Sequence, residues 1–414
     1  MALTIAPDSL AARHGSEGFD AHNLPYASAS QGEGERRLVV RLGDQAVDLT
    51  ALVRAADLTG PVAEAAGAAD LTPLLELDAD AWNALRAAVQ GAVTAPGSAE
   101  ELAAATTPVA DLTLHLPFTP ADYVDFYASE HHASNVGRIF RPDQDPLLPN
   151  WKRLPVGYHG RAGTLIASGT DVPRPKGLRP SPDGPPLQGE PSYGPSRRLD
   201  IEAEIGFVLG GSRPRGEVTL EEARRHVFGL VLVNDWSARD IQAYEYVPLG
   251  PNLAKSFATS VGAWVVPLAA LDAARVAPPA RDEELAEYLD DSSLEPWGFD
   301  IAMEVELDGE VVSRPPFAQM YWTGAQMLAH MTTNNACLRP GDFFASGTVS
   351  GPEKAQRGSF LELSWGGEEP FQVNGEDTTF LEDGHTVAIR GTAPGPDGSV
   401  VSLGEVTGTV LPAT

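Results

Sequence analysis

LDIEAEIGFVLG (199–210), followed further on by FGLVLVND (228–235), is the stretch that decides the fold. Side chains two apart on a strand face the same way. Ile201, Ala203, Ile205 and Phe207 therefore share one face, and Glu202 and Glu204 share the other. The second run is apolar until it ends at Asp235, as a buried strand is when it delivers a polar group at its tip. MEVELDGEVVS (303–313) reads as a hairpin turning at Asp308-Gly309, and further strands fit 343–346, 359–365, 386–391 and 400–407. Thr219 with Glu222 forms a capping box opening a short helix from Leu220 to His226. Residues 171–197 are dense in Pro and Gly and read as a loop. Strands outnumber helices, so the expected class is mostly β, or α+β, with peripheral helices.

Toward the N-terminus, RLVVRLGDQAVDLT (37–50) reads as two short strands around Gly43-Asp44. Asp78 or Asp80 can cap a helix whose apolar face is Trp82, Leu85, Ala88 and Val89. TAPGSAEELAAATTP (94–108) reads as a polar, Ala-rich connection. These signals divide the chain into a small N-terminal domain, 1–117, and a larger one, 118–414.

The 414 residues carry a formal charge of −28, with an isoelectric point near 4.6. Such a surface repels phosphate backbones and anionic lipid, which disfavours nucleic-acid and membrane partners. An anionic substrate would need a local island of Arg and Lys. Cys337 is the only cysteine, so neither an intrachain disulfide nor a multi-thiolate metal site can form. No segment is long and apolar enough to span a bilayer, and no basic start precedes an apolar run, so a cytoplasmic protein is expected.

On a solvent face the pair Glu202 and Glu204 would mean nothing, whereas in a cavity two adjacent carboxylates need a cation or a shared proton. Asp235, or its neighbour Asn234, could equally be a helix N-cap. Asp125 opens DFYASEHHASNVGRIFR (125–141), where acid, Tyr, His and Arg crowd together. Four carboxylates without a thiolate make a hard-oxygen set, suited to Mg²⁺ or Ca²⁺ rather than zinc or copper.

That string, with LLPNWKRLPVGYHGRAGTL (147–165), SRRLDIEAEIGFVLG (196–210), GLVLVNDWSARDIQAYEYVPLGPNLAKSFATSVGAWVVP (229–267), LRPGDFFASGTVSGP (338–352) and GSFLELSWGG (358–367), resembles the fumarylacetoacetase family. The resemblance is strongest from 118 onward. It implies an SH3-like β-barrel in the N-terminal domain and a mixed β-sandwich roll in the larger one. It also implies a homodimer, a bound Ca²⁺ or Mg²⁺, and hydrolysis of a β-diketo dicarboxylic acid, 4-fumarylacetoacetate. Its metal ligands fall on Asp125, Glu202, Glu204 and Asp235, with Lys255 and Thr259 beside a metal position. One departure is Ala254, where the family pattern has Gly.

The same resemblance places His132, not His131, as the base for water, and Glu362 as its orienting partner. Arg239, Gln242 and Lys255 would surround the developing negative charge, with Arg239 and Lys255 in the catalytic set. Tyr127, Arg141, Tyr158, Gln242, Tyr246 and Thr348 would hold the substrate. His159, in a Gly-flanked turn, is expected to bond its own loop. Without the resemblance, Glu362 would read as an exposed strand acid, and the tyrosines as core residues. The alternatives are an acylpyruvate hydrolase or oxaloacetate decarboxylase with the same acids, and a non-catalytic Ca²⁺-stabilised scaffold.

Overall fold

A computed structural model describes residues 3–181, 189–213 and 215–414. The strand Ala203–Leu209 runs antiparallel to Val227–Asp235 on one side and to Asp342–Ala345 on the other. The sheet extends through Asp122–Phe126, parallel to Asp342–Ala345, to Gly157–His159 at one edge. At the other it runs through Thr259–Val261 to Leu165–Ala167, again a parallel pair.

Both faces of this sheet are covered, so its central strands are buried at every position. Ile205, Phe207, Leu230, Leu232 and Phe344 join a core with Val305, Ile389 and Val406, residues of a second sheet. That sheet orders its strands Glu310–Ser313, Ala302–Leu307, Thr386–Pro394, Val400–Leu411 and Val172–Pro173. Val208, Val231, Val233, Val261, Phe343 and Tyr123 point the other way, into a core with Val40, Leu52, Trp82 and Val89 of the N-terminal part. Burying that face makes the N-terminal part the third layer of one stack.

The N-terminal part is a five-stranded antiparallel sheet, ordered Thr106–Pro108, Gln45–Asp48, Arg37–Leu42, Tyr26–Ser30 and Thr113–Leu114. The expected hairpin turns through Gly43-Asp44, with Leu42 opposite Gln45. Asp78 caps the helix Ala79–Thr94, accepting from the Ala81 amide at 2.9 Å, and Trp82, Leu85 and Val89 are its buried stripe. The hairpin at Asp308-Gly309 also forms, with Leu307 opposite Glu310.

Four sequence expectations need correction. Residues 94–108 are more than a connection, because Thr106–Pro108 pairs with Gln45–Val47 as an edge strand where proline is tolerated. Within 171–197, Lys176–Arg179 and Ser192–Pro195 form a two-stranded ribbon, while 182–188 lie outside the described residues. The Thr219–Glu222 box is present, but it closes only a turn and the 3₁₀ segment Ala223–Arg225. Lastly, 359–365 is not a strand: Phe360–Leu363 is one helical turn capped by Ser359. All four of its residues are buried, so its period-two pattern marks no exposed face.

Candidate active site

Toward one end of the face carrying Val231, Val233 and Val208, the apolar residues give way to acids. Asp235 follows Val233 by two residues on its strand, and Glu204 lies opposite Val233 in the ladder. Asp125 stands on Asp122–Phe126, and Glu202 just precedes Ala203–Leu209. One carboxylate oxygen from each of these four lies within 4.8 Å of the others, and all four residues are buried. The solvent-face reading of Glu202 and Glu204 is thus excluded, and Asp235 ends a strand rather than capping a helix.

The four acids divide into two pairs. Lys255 Nζ donates to Glu202 Oε2 and, at 2.7 Å, to Asp235 Oδ2, while Thr259 Oγ1 donates to Asp235 Oδ1 at 2.6 Å. Arg239 Nη1 lies 2.7 Å from Glu202 Oε1. Burial would raise the Glu202 carboxyl, but Lys255 and Arg239 hold it far below the ordinary range. Burial would lower Lys255, yet Asp235 and Glu202 push it up. Lys255 is therefore an ammonium without a lone pair and acts as counter-charge to the acids rather than a donor to a metal.

Asp125 and Glu204 form the other pair. The Tyr158 hydroxyl works to lower Asp125, and Glu204 Oε2 accepts the Gly347 amide at 3.2 Å. Asp125 Oδ1 and Glu204 Oε1 are buried without a hydrogen-bond partner among the described residues. Burial first, and then the neighbouring acids, raise both carboxyls well above the usual range. Buried oxygens left unpaired beside like charges are what a hard cation would satisfy. The residues fit a divalent ion.

Local sequence explains the placement. Gly347 follows Asp342–Ala345 at φ +75°, and a Cβ there would lie 2.1 Å from the Phe126 carbonyl. Only glycine brings that amide to Glu204. His132 is not on a strand or loop: Ser129 caps the helix Glu130–Phe140, accepting from the His132 amide at 3.3 Å. His132 Nδ1 is 2.7 Å from Glu362 Oε2, and its Nε2 is 4.0 Å from Glu202 Oε1. His131 is only half-buried.

Glu362 is fixed by residues the sequence reading missed. Asn135 Nδ2 donates to Oε1 at 2.9 Å, and Ser350 and Ser359 hydroxyls donate to Oε2 at 2.9 Å each. Burial would raise Glu362, but His132 and these donors hold it low. An ionised Glu362 requires the Nδ1–H tautomer, which leaves the Nε2 lone pair free to take a proton. The Ser359-x-x-Glu362 capping spacing was a legible clue, as was Asn135, one helical turn after His132. Asp200 was missed as well. It accepts Arg239 Nε at 2.7 Å and orients the guanidinium.

In front of the acids opens a cavity of about 450 Å³. Tyr127, Arg141, Tyr158, Gln242, Tyr246 and Thr348 all line it, together with Asp125, Glu202, His132 and Arg239. Arg239, Gln242 and Tyr246 reach it together because Arg239–Glu245 is a helix, and these spacings share one face. Arg239 Nη1 also donates to Gln242 Oε1 at 3.1 Å. Arg141 Nε and Thr348 Oγ1 are buried without hydrogen-bond partners among the described residues. Glu204, Asp235, Lys255, Thr259 and Glu362 stand behind the lining. His159 is exposed and sits 3.0 Å from the carbonyl of Gly160 in its own loop.

Comparison with known proteins bears on this constellation directly. The family description "Fumarylacetoacetate (FAA) hydrolase C-terminal" matches residues 122–411, and "Fumarylacetoacetase N-terminal" matches 22–117. Rat fumarylacetoacetase is 44% identical over 95% of this chain and 96% of its own length, and the human protein is 43% identical at the same coverage. The chain belongs to the fumarylacetoacetate hydrolase family. It is a hydrolase of that family, and the buried acids occupy positions compatible with metal binding. A solved fumarylacetoacetate hydrolase from psychrophilic Exiguobacterium antarcticum shares the fold. Its TM-score is 0.54 at 15% identity, covering 94% of this chain and all of that one. Maleylpyruvate hydrolase from Sphingobium is alike at 0.51 and 18%, over 94% of this chain and all of its own.

Proposed function

We propose that this protein hydrolyses 4-fumarylacetoacetate to fumarate and acetoacetate, the last step of tyrosine and phenylalanine breakdown. The observation that carries the reading is the meeting, in one cavity, of four buried acids, two with unpaired oxygens, and an imidazole fixed by a buried carboxylate. Asp125, Glu202, Glu204 and Asp235 would hold Ca²⁺ or Mg²⁺, and such an ion would polarise the diketone oxygens.

The chain's own groups do the rest. His132 Nε2 takes a proton from water as the water oxygen bonds to the ketone carbon. The carbon–carbon bond then breaks, its electron pair leaving with the acetoacetate half as an enolate, which regains one proton at carbon. Glu362 keeps the imidazole in the required tautomer and stabilises it when it is protonated. Arg239, with Gln242 bonded to it, faces the oxygens that gain charge, and Lys255 balances the acids behind them. Arg141 supplies a fork for a substrate carboxylate in a chain that is otherwise strongly acidic. Tyr127, Tyr158, Tyr246 and Thr348 shape and bond the remaining surface.

The same reading, resting on family resemblance, makes the working protein a cytoplasmic homodimer with a division of labour near residue 117. No helix among the described residues is long and apolar enough to cross a membrane. Near full-length likeness to fumarylacetoacetases favours this substrate over acylpyruvate or oxaloacetate, and His132–Glu362 favours catalysis over a scaffold role. The deciding test follows loss of diketone absorbance with 4-fumarylacetoacetate, acylpyruvate and oxaloacetate side by side. Turnover fastest on fumarylacetoacetate, abolished by chelator and restored by Ca²⁺ or Mg²⁺, is expected. Faster loss of acylpyruvate would overturn the substrate assignment.

A further inference from the structure

A second cavity, of about 180 Å³, lies away from the acids on the seam between the helix Ala79–Thr94 and the 3₁₀ segment Leu268–Ala274. Trp82 and Phe228 form an aromatic wall, edge to face with centroids 5.4 Å apart, and the Tyr26 ring packs on Phe228. Three of the lining residues are Arg86, Arg224 and Arg275, and the acid among them is Asp272.

One carboxylate in the lining faces three guanidiniums, of which Arg275 also donates to the Pro296 carbonyl at 3.1 Å and lies over the Trp297 and Phe299 rings. Asp272 Oδ1 alone accepts both Arg224 Nη2, at 3.1 Å, and Arg275 Nε, at 3.0 Å. Arg224 Nη1 also reaches the exposed Glu295 at 3.5 Å. Arg86 donates to the carbonyls of Asn23, at 2.9 Å, and His22, and no carboxylate lies within ion-pair distance of it among the described residues. Arg224 Nε and Arg275 Nη2 are buried without hydrogen-bond partners among the described residues. Tyr26 is only 2% exposed. Burial lowers the Arg86 and Arg275 guanidiniums and pushes the Tyr26 phenol up to about 12.

A cationic pocket inside a chain of net charge −28 runs against the background field. Guanidinium forks and a hydroxyl donor match the acceptor geometry of phosphate and carboxylate oxygens. The volume lies below the range typical of drug-sized ligands, about 300–1,000 Å³, and suits a small ion. We propose that this seam cavity binds a small oxyanion, phosphate or a short carboxylate, through Arg86, Arg224, Arg275 and the Tyr26 hydroxyl. The ion ties the N-terminal helix and strand to the large sheet.

The test uses the full chain in chloride buffer at matched ionic strength, with inorganic phosphate, sulfate and succinate as probes. Thermal midpoint and titration calorimetry are the readouts. A saturable rise of several degrees with measurable heat is expected. Phosphate and sulfate without succinate would identify a tetrahedral-anion site, and succinate alone a carboxylate site. Arg224→Gln, at a partly exposed side chain, should bind about tenfold more weakly or worse, with turnover unchanged. Tyr26→Phe should weaken binding less, and Arg224→Gln/Arg275→Gln should abolish it. A rise that never saturates and is equal in wild type and Arg224→Gln would be general salt stabilisation and would overturn the site. Absence of heat with all three probes would overturn it too.

Discussion

Asp200 and Glu204 lie four residues apart on one stretch of chain, both buried completely, yet their carboxylates are in opposite circumstances. Asp200 Oδ1 accepts the amides of Ile201 and Phe360 at 2.7 Å each, and its Oδ2 accepts Arg239 Nε at 2.7 Å and the Leu361 amide at 3.0 Å. Every acceptor there is used. Glu204 receives one amide at 3.2 Å, keeps Oε1 unpaired and faces Asp125 and Asp235. Burial raises both carboxyls, but Asp200 has a hydrogen-bonded guanidinium and backbone amides to oppose it, whereas Glu204 has one amide and the charge of Lys255 against three neighbouring acids. Burial alone therefore does not mark a functional acid. Unsatisfied burial does, because the missing partner must come from outside the chain.

If the acid cavity works while the satisfied network only supports it, His132→Ala should lose about 10²–10⁴-fold in kcat with KM nearly unchanged, and should also lose stability because the buried Glu362 carboxylate loses its imidazole partner. A fully active His132→Ala would remove the base from the assignment.

Asp200→Ala should act on the other side of the comparison. It leaves Arg239 and three amides without their acceptor, a loss of about 3–5 kcal/mol in unfolding free energy, read by denaturant titration. A variant as stable as wild type would show that Asp200 is not the fastening point it resembles.

Glu204→Gln should separate metal affinity from stability. Divalent affinity should drop by roughly 10–100-fold, by analogy with the loss of groups that support metal sites, while the chelated protein loses no stability. The pH dependence follows from the raised carboxyls of Asp125 and Glu204. In chelator, the neutral acids are accommodated at low pH, and stability declines as pH rises from their unfolded values toward their folded ones. Ca²⁺ or Mg²⁺ should flatten that decline, and a chelated protein whose stability is flat with pH would contradict the unpaired-acid account.

Arg141→Lys should raise KM several-fold, since a point charge cannot reproduce the bidentate fork. An unaltered KM would assign Arg141 to structure. The smallest effect belongs to His131→Ala, expected within about 0.5 kcal/mol in stability and near wild type in rate. If His131→Ala were the crippled variant, the register of the whole 125–141 string would need rereading.

Elements with a one-dimensional signature were legible from sequence: the buried run ending at Asp235, the Asp78 cap, and the turns at Gly43-Asp44 and Asp308-Gly309. Asp125, Glu202, Glu204 and Asp235 could be singled out as candidate acids from the sequence, but that they meet at one point was what the family resemblance implied. Whether Glu202 and Glu204 faced water or a cavity was not readable, since alternation is the same in both cases. It was settled when the N-terminal part covered the face that Val208, Val231 and Val233 expose. Glu362 misled for a similar reason: FLEL alternates, but tertiary burial on all sides let Ser359 wind it into a helical turn. Periodicity, caps and turns are properties of neighbours along the chain, so the sequence alone determined them. Which buried oxygens found partners, and which were left for a cation, depended on contacts between residues far apart in sequence such as Glu204 and Gly347. Those contacts exist only once the layers have packed, and the tertiary structure alone decided them.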